Sequence, residues 1–192
     1  GGYIVAGQTA STDGDLTGRP TGRGTDGWVA KLDDTGAIQW QKWLGGTGTE
    51  GFEAVRQTSD GGYIVAGYTN SDNGDVIDKR AGFGYDFWAV KLNSNGDVAW
   101  SKTFGSSTRD EAYDIRETFD GGFVMIGRTF GVADGDVSYV YSSKYDYWVV
   151  KLRSDGSLEW EKTYGGTDTD DPNVIRQTAD SGYILVGPSN SS

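Results

Sequence analysis

The chain has 192 residues and a formal net charge of −11, with 28 acidic residues against 17 basic ones. A surface this negative repels the phosphates of nucleic acids and anionic lipid headgroups, so neither is an expected partner. Cysteine and histidine are absent, which excludes disulfides, thiolate catalysis, zinc–thiolate sites and the commonest general base. No segment is as long as a membrane span, so insertion into a membrane is not expected.

A short phrase recurs along the chain at intervals of 60 residues. It reads GGYIVAG at the start and returns as DGGYIVAG, DGGFVMIG and DSGYILVG. The spacing predicts three full repeats, at 1–60, 61–120 and 121–180, and a partial repeat at 181–192. We therefore expect one repeat domain, 1–192, that belongs to a longer array. Tryptophans with the same spacing are expected to pack between repeats: Trp28, Trp88 and Trp148, and Trp40, Trp100 and Trp160.

Four strands are predicted for each repeating unit. In chain order they are Glu53–Asp60, Tyr63–Thr69, Phe87–Asn93 and Asp97–Gly105. β-branched and aromatic residues dominate these runs, and clusters of Gly, Asp, Asn and Ser separate them as hairpin turns. Four-stranded units in tandem predict an all-β, β-propeller-like array of antiparallel blades. A β-solenoid or a stacked β-sandwich is the competing architecture.

The repeat is longer than the ~40–50 residues of common propeller blades. The excess lies between the second and third strands, at 10–26, 70–86 and 130–146. In a blade of up-and-down strands, this long loop emerges on the same face as the loop between blades, such as 45–50. One face of the molecule is therefore predicted to be rich in loops, as binding faces commonly are.

The combined pattern of DGGYIVAG, DGDV, DYWVVKL, W-x-K and GG resembles tandem repeats of large secreted and cell-surface proteins of bacteria and archaea. The resemblance covers essentially the whole chain. It implies β-propeller-like domains and an extracellular or cell-surface location, and it carries no catalytic residues to transfer. The long loops differ widely between copies, as VIDKRAGFG and VSYVYSSKY show.

Acidic, glycine-bent segments recur in the long loops as STDGD, SDNGD and ADGD. Oxygen-rich segments of this kind resemble part of a calcium loop, although the closing glutamate of an EF-hand is missing. The alternative is a turn in which the carboxylate accepts hydrogen bonds from backbone N–H groups. The residues that would help bind Ca²⁺ are Asp13, Asp15, Asp72, Asp75, Asp134 and Asp136.

Aromatic residues of the second and third long loops are the candidates for stacking on a glycan. The alternative is that they pack against one another within the loops. They are Phe83, Tyr85, Tyr139, Tyr141 and Tyr145.

Repeated basic residues are expected to make structural contacts rather than a basic binding patch. The expected partners are Asp26, Asp86 and Asp146 or nearby carbonyl oxygens. The basic residues are Arg56, Arg116 and Arg176, together with Lys31, Lys91 and Lys151.

Paired carboxylates at 110–111 and 170–171 raise the alternative of a polysaccharide-active enzyme, since glycosidases use two facing carboxylates. Solvated charged loop ends explain them better, so a non-enzymatic chain is expected.

The sequence therefore predicts an extracellular or surface-anchored module that binds a glycan or a protein partner through its loop-rich face. The alternative is a structural subunit of an extracellular fibre or sheath, assembled by strand pairing between copies. The tail strand Asn173–Asp180 is a candidate to pair beside Tyr3–Thr9, and two copies are expected to form a six-bladed ring.

Overall fold

The structure is a computed structural model that describes residues 1–79 and 84–191. Within these ranges thirteen strands lie in four antiparallel sheets, and a single turn of 3₁₀ helix occupies Gly14–Leu16. None of the helical structure in these ranges is long and apolar enough to cross a membrane. The strands are β1 (Tyr3–Thr9), β2 (Asp26–Leu32), β3 (Ile38–Leu44), β4 (Glu50–Gln57), β5 (Tyr63–Thr69), β6 (Asp86–Leu92), β7 (Val98–Phe104), β8 (Asp110–Glu117), β9 (Phe123–Phe130), β10 (Tyr145–Leu152), β11 (Leu158–Tyr164), β12 (Val174–Gln177) and β13 (Tyr183–Val186).

Strands that are neighbours in sequence are neighbours in each sheet. The first sheet is β1–β2–β3, the second β4–β5–β6–β7, the third β8–β9–β10–β11 and the fourth β12–β13. The prediction of an all-β chain with antiparallel four-stranded units is thus confirmed for the second and third sheets. Closure of the sheets into a propeller ring stays a prediction.

The tail of the chain differs from the expected closure. Strand β12 pairs with β13, in register from Val174↔Val186 to Gln177↔Tyr183, rather than beside β1. The short turn that includes Ser181, at φ 70°, places β13 next to β12 at a small loop-closure cost. The first strand of this unit therefore pairs with its own second strand, as in the second and third sheets, and not with β1.

Apolar side chains fill the space between successive sheets. The first and second sheets enclose a cluster that includes Val29, Val65 and Trp88. The second and third enclose a larger cluster around Trp148 and Met125. A smaller cluster joins the third sheet to the fourth. The sheets therefore stack in sequence order, and burial between them supplies the main stabilising term.

The second set of repeated tryptophans makes the same contact at each junction between sheets. Trp40 meets Tyr63, Trp100 meets Phe123 and Trp160 meets Tyr183, each with ring centroids 5.7 Å apart and an edge-to-face angle between 64° and 66°. Such pairs stabilise beyond their buried area. The predicted role of these tryptophans between repeats is confirmed.

One further aromatic ring fills each of the first two junctions, but it comes from a different strand each time. At the first, Phe52 of β4 stacks on Trp88 at 4.9 Å, and a Cβ atom on Gly27 would lie 2.5 Å from the Phe52 ring. At the second, Phe87 of β6, at the repeat position of Gly27, packs on Trp148 at 4.5 Å. The position equivalent to Phe52 is then alanine, Ala112. Each of these two junctions therefore holds one additional phenylalanine ring, because a second would overlap it.

Candidate functional site

The long loops and the loops between sheets lie on one face, as predicted. Gly45 N–H donates to Asp75 Oδ2 at 3.0 Å, and Asp75 N–H donates back to the Gly45 carbonyl at 3.0 Å. Gly105 and Asp136 repeat this reciprocal pair at 3.2 and 2.9 Å. We call this surface the loop face; it comprises the long loops 10–25, 70–79 and 130–144 and the junction loops 45–49, 105–109 and 165–169.

Of the six aspartates predicted to help bind calcium, Asp75 and Asp136 tie the loops together as above. Asp134 acts similarly, since its Oδ1 accepts from Ser107 N–H at 2.7 Å. Asp13 precedes the 3₁₀ turn, while Asp15 and Asp72 are exposed. Over residues 1–79 and 84–191, no group of three or more Asp, Glu, His or Cys is placed to hold a metal. Calcium binding by these aspartates stays a prediction.

Two of the predicted aromatic residues are engaged by arginines. The Arg109 guanidinium lies 5.0 Å from the ring centroid of Tyr85, and that of Arg128 lies 4.1 Å from that of Tyr145. Tyr145 belongs to β10 rather than to the loop, because its pairing with Phe130 extends the sheet by one residue pair. Phe83 lies outside the described residues. Tyr85 and Tyr145 therefore pack locally, as the alternative hypothesis for these aromatic residues predicts.

Tyr139 and Tyr141 present their rings to solvent. They are 56% and 47% exposed, and their centroids lie 5.0 Å apart at an angle of 89°. Their backbone is anchored, because Thr163 Oγ1 donates to the Tyr139 carbonyl at 2.8 Å and Tyr141 N–H donates to Asp146 Oδ2 at 2.7 Å. An exposed aromatic pair on a fixed backbone is suited to contact an apolar ligand surface.

A buried acid holds the two ring-stacking arginines in place. Glu111 accepts from Arg109 at 2.5 Å and from Arg128 at 2.8 Å, and Arg128 also donates to Asp171 at 2.7 Å. Burial raises the pKa of Glu111, but the hydrogen bonds from both arginines outweigh it and leave that pKa below its ordinary value. Glu111 is therefore a charged anchor in this network. Adjacent strand residues point to opposite sides, so Asp110 and Glu111 do not form a facing carboxylate pair.

The repeated lysines bond to nearby carbonyl oxygens, as predicted, but their carboxylate partners differ from those predicted. Lys91 donates to Asp60 at 2.9 Å and to the Leu92 carbonyl at 3.1 Å, and Lys151 donates to Asp120 and the Leu152 carbonyl. The predicted carbonyl partners are confirmed, but Asp86 is wrong as a partner of Lys91. It lies five residues away on β6, roughly 16 Å along an extended strand.

The repeated arginines converge on one carboxylate that the sequence analysis missed. Arg56, Arg116 and Arg176 come within 2.7, 3.3 and 2.8 Å of Asp114, which is 2% exposed. These arginines belong to the first strands of three consecutive sheets. The equivalent residues in the neighbouring repeats are Ala54 and Val174. A lone charge at an apolar repeat position was the signal that could have found it.

Pairs of buried carboxylates occupy the three junctions, beside a glycine that leaves room for them. A Cβ atom on Gly45, Gly105 or Gly165 would lie within 3.0 Å of one oxygen from each member of the pair beside it. Burial raises the pKa of Asp26, Asp110 and Asp146 above the ordinary value and raises that of Asp86 to about 7. The pairs are Asp26 with Glu50, Asp86 with Asp110, and Asp146 with Asp170.

Fold and site together define an all-β tandem-repeat protein with one loop-rich face. No family model matches the chain. It is similar to the regulatory protein FlaEY of Caulobacter vibrioides, with 24% identity over 204 residues. The match covers 96% of this chain and 20% of that protein, so the chain spans about a fifth of the relative's length.

Proposed function

We propose that the chain is a non-enzymatic, propeller-like module of an extracellular or cell-surface protein, and that its loop face binds a glycan or a glycan-bearing protein partner. The observation that carries the proposal is the exposed pair Tyr139 and Tyr141 on an anchored backbone. Sugar rings have apolar faces that stack on aromatic rings, and their hydroxyls bond to polar neighbours.

The surroundings of the tyrosine pair supply such polar neighbours. Ser142 and Lys144 lie in the same loop and are at least partly exposed. The four stacked antiparallel units support the propeller-like arrangement, in which one end of every sheet contributes loops to a shared binding face.

Replacement of both tyrosines by alanine is expected to abolish glycan binding. Loss of two stacking rings removes most of the apolar contact, so the dissociation constant should rise at least tenfold. Binding is measured on a glycan array and then by calorimetry with the best-bound glycan. The matched control is Phe119→Ala, which removes a ring that is 73% exposed on a hairpin at the opposite end of the sheets. Full binding by the double variant, or equal loss in the control, would contradict the proposal.

A second candidate function is structural, namely assembly into a fibre or sheath. It is favoured by the exposed apolar side chains of the fourth sheet, where Ile184 and Val186 are 53% and 57% exposed. A second copy packed on this sheet would repeat the junctions within the chain. Light scattering is expected to show dimers or larger species that Ile184→Glu with Val186→Glu reduces to monomers. A monomer at all concentrations would argue against this candidate.

A further inference from the structure

The three junctions differ in what neutralises their buried carboxylates. At the first, Arg19 Nε lies 2.7 Å from Asp26 Oδ2. At the second, Lys79 Nζ lies 3.6 Å from Asp86 Oδ2. Both basic residues come from the long loop that precedes the aspartate. At the third, no basic side chain of residues 1–79 and 84–191 forms an ion pair with Asp146 or Asp170.

Asp146 is fully buried and has an unused oxygen. Its Oδ2 accepts from Tyr141 N–H at 2.7 Å, whereas its Oδ1 is buried and has no hydrogen-bond partner. A Cβ atom on Gly165 would lie 2.2 Å from this Oδ1 and 2.9 Å from Asp170 Oδ2. The two carboxylates therefore direct oxygen atoms at one small volume.

Asp170 is held rigidly beside this volume. Its Oδ2 accepts from Gly166 N–H at 3.0 Å and from Ser191 Oγ at 3.0 Å. Its Oδ1 accepts from Ser189 Oγ. These bonds orient the carboxylate, and their donors carry no net charge. Two negative charges with no cation are costly in a buried site.

Solvent reaches Asp170 through an open cavity of about 240 Å³. Asp170 and Gly165 lie in its wall together with Tyr147, Tyr164, Ser189 and Ser191. A small ion therefore has a route to Asp170, and the buried Asp146 carboxylate lies beside it at Gly165. The hydroxyl and carboxylate oxygens of the wall are hard donors of the kind that alkali and alkaline-earth cations prefer.

We propose that Asp146 and Asp170 bind a hard metal cation, Ca²⁺ most strongly, at the junction where no basic side chain of the described residues pairs with either carboxylate. The inference does not depend on glycan binding, and it concerns other residues than the six loop aspartates. With two carboxylates and few further ligands, the site resembles the weak calcium sites of extracellular modules, whose dissociation constants are about 10⁻⁴–10⁻³ M.

The test is a titration of the metal-free chain with CaCl₂ at pH 8, followed by thermal unfolding and by calorimetry. We expect one site and a melting temperature that rises by roughly 3–6 °C at ten times the dissociation constant. Mg²⁺ and Na⁺ are run as separate arms and should bind more weakly. Asp146→Asn should abolish the rise, and because it removes a buried charge it should remain folded.

Two matched variants separate the alternatives. Asp86→Asn makes the same change at the junction that contains Lys79, and it should keep the full calcium response. Asp134→Asn tests the loop aspartates and should also keep it. The proposal is overturned if no cation changes the melting temperature, which would mean that the pair shares a proton only. It is also overturned if Asp146→Asn still responds, or if the response is lost in Asp134→Asn instead.

Discussion

Replacing Asp114 with asparagine is expected to lower the free energy of unfolding by about 3 kcal/mol, near the lower end of the range for breaking a buried ion pair. Asp114 is 2% exposed, whereas Arg56, Arg116 and Arg176 remain 34%, 25% and 48% exposed in their side chains. Partial solvation of the guanidinium groups reduces the loss below that of a fully enclosed pair. Asparagine keeps the shape of the side chain and removes only the charge.

The loss of stability should be large because the Asp114 carboxylate pairs with arginines from three sheets. Besides its three arginines, Asp114 accepts from the Ile175 backbone N–H at 3.3 Å. Without the negative charge, three guanidinium groups would face one another across a small volume with only an amide oxygen to share. The first strands of the second, third and fourth sheets would then repel each other.

Urea unfolding at pH 7 measures this loss. The control is Asp97→Asn, which removes an exposed carboxylate paired with Lys42 at 3.0 Å. Exposed pairs of this kind contribute little to stability, because solvent screens them. If Asp114→Asn lowers the free energy of unfolding no more than the control does, the arginine cluster does not stabilise the fold.

The repeat and its unbroken strands could be predicted from the sequence. β-Branched and aromatic residues with flanking turn residues give Tyr63–Thr69 with the bounds that β5 has. The first strand of the unit is predicted at Glu53, but β4 begins at Glu50. The reason is a bulge between Phe52 and Ala54, which places one extra residue on β4 and breaks the alternation.

The packing at the junctions could have been predicted in part. Gly27 with Phe52 and Phe87 with Ala112 occupy equivalent positions with large and small residues exchanged. Two positions 25 residues apart that exchange size between repeats indicate contact across a junction. The exchange is visible in the sequence, but only the structure shows that Phe52 packs on Trp88 of its own sheet and Phe87 on Trp148 of the next sheet.

The partners of the charged residues could not be predicted, because they depend on distances between sheets. The sequence shows that Asp26, Asp86 and Asp146 recur, and that Arg19 and Lys79 share a repeat position at which the third copy has Tyr139. It does not show that Arg19 and Lys79 approach the first two aspartates. The lack of a basic residue at this position of the third copy is therefore visible in the sequence, whereas the pairing at the first two junctions is known only from the folded chain.

Stability is expected to be highest near pH 5 and to fall by about 2–3 kcal/mol by pH 8. Burial raises the pKa of Asp86 to about 7, since the attraction of Lys79 offsets only part of the desolvation. In the unfolded chain the same carboxyl has its ordinary pKa of 3.8. Between these two values the folded chain binds a proton that the unfolded chain has lost, so each pH unit costs up to about 1.4 kcal/mol. Above about pH 7 the loss levels off.

The buried Asp26, Asp110 and Asp146 have raised pKa values for the same reason and add to the fall with the same sign. Urea unfolding at half-unit steps from pH 4.5 to 8.5 measures the profile. The double variant Lys79→Met with Asp86→Asn keeps the size of both side chains and should flatten it. Asp155→Asn should leave it unchanged, because hydrogen bonds from Ser157 lower the pKa of that exposed carboxyl and it stays ionised throughout. A free energy of unfolding that rises from pH 5 to pH 8 would contradict the prediction. It would show that the folded chain stabilises the ionised form of the junction carboxylates.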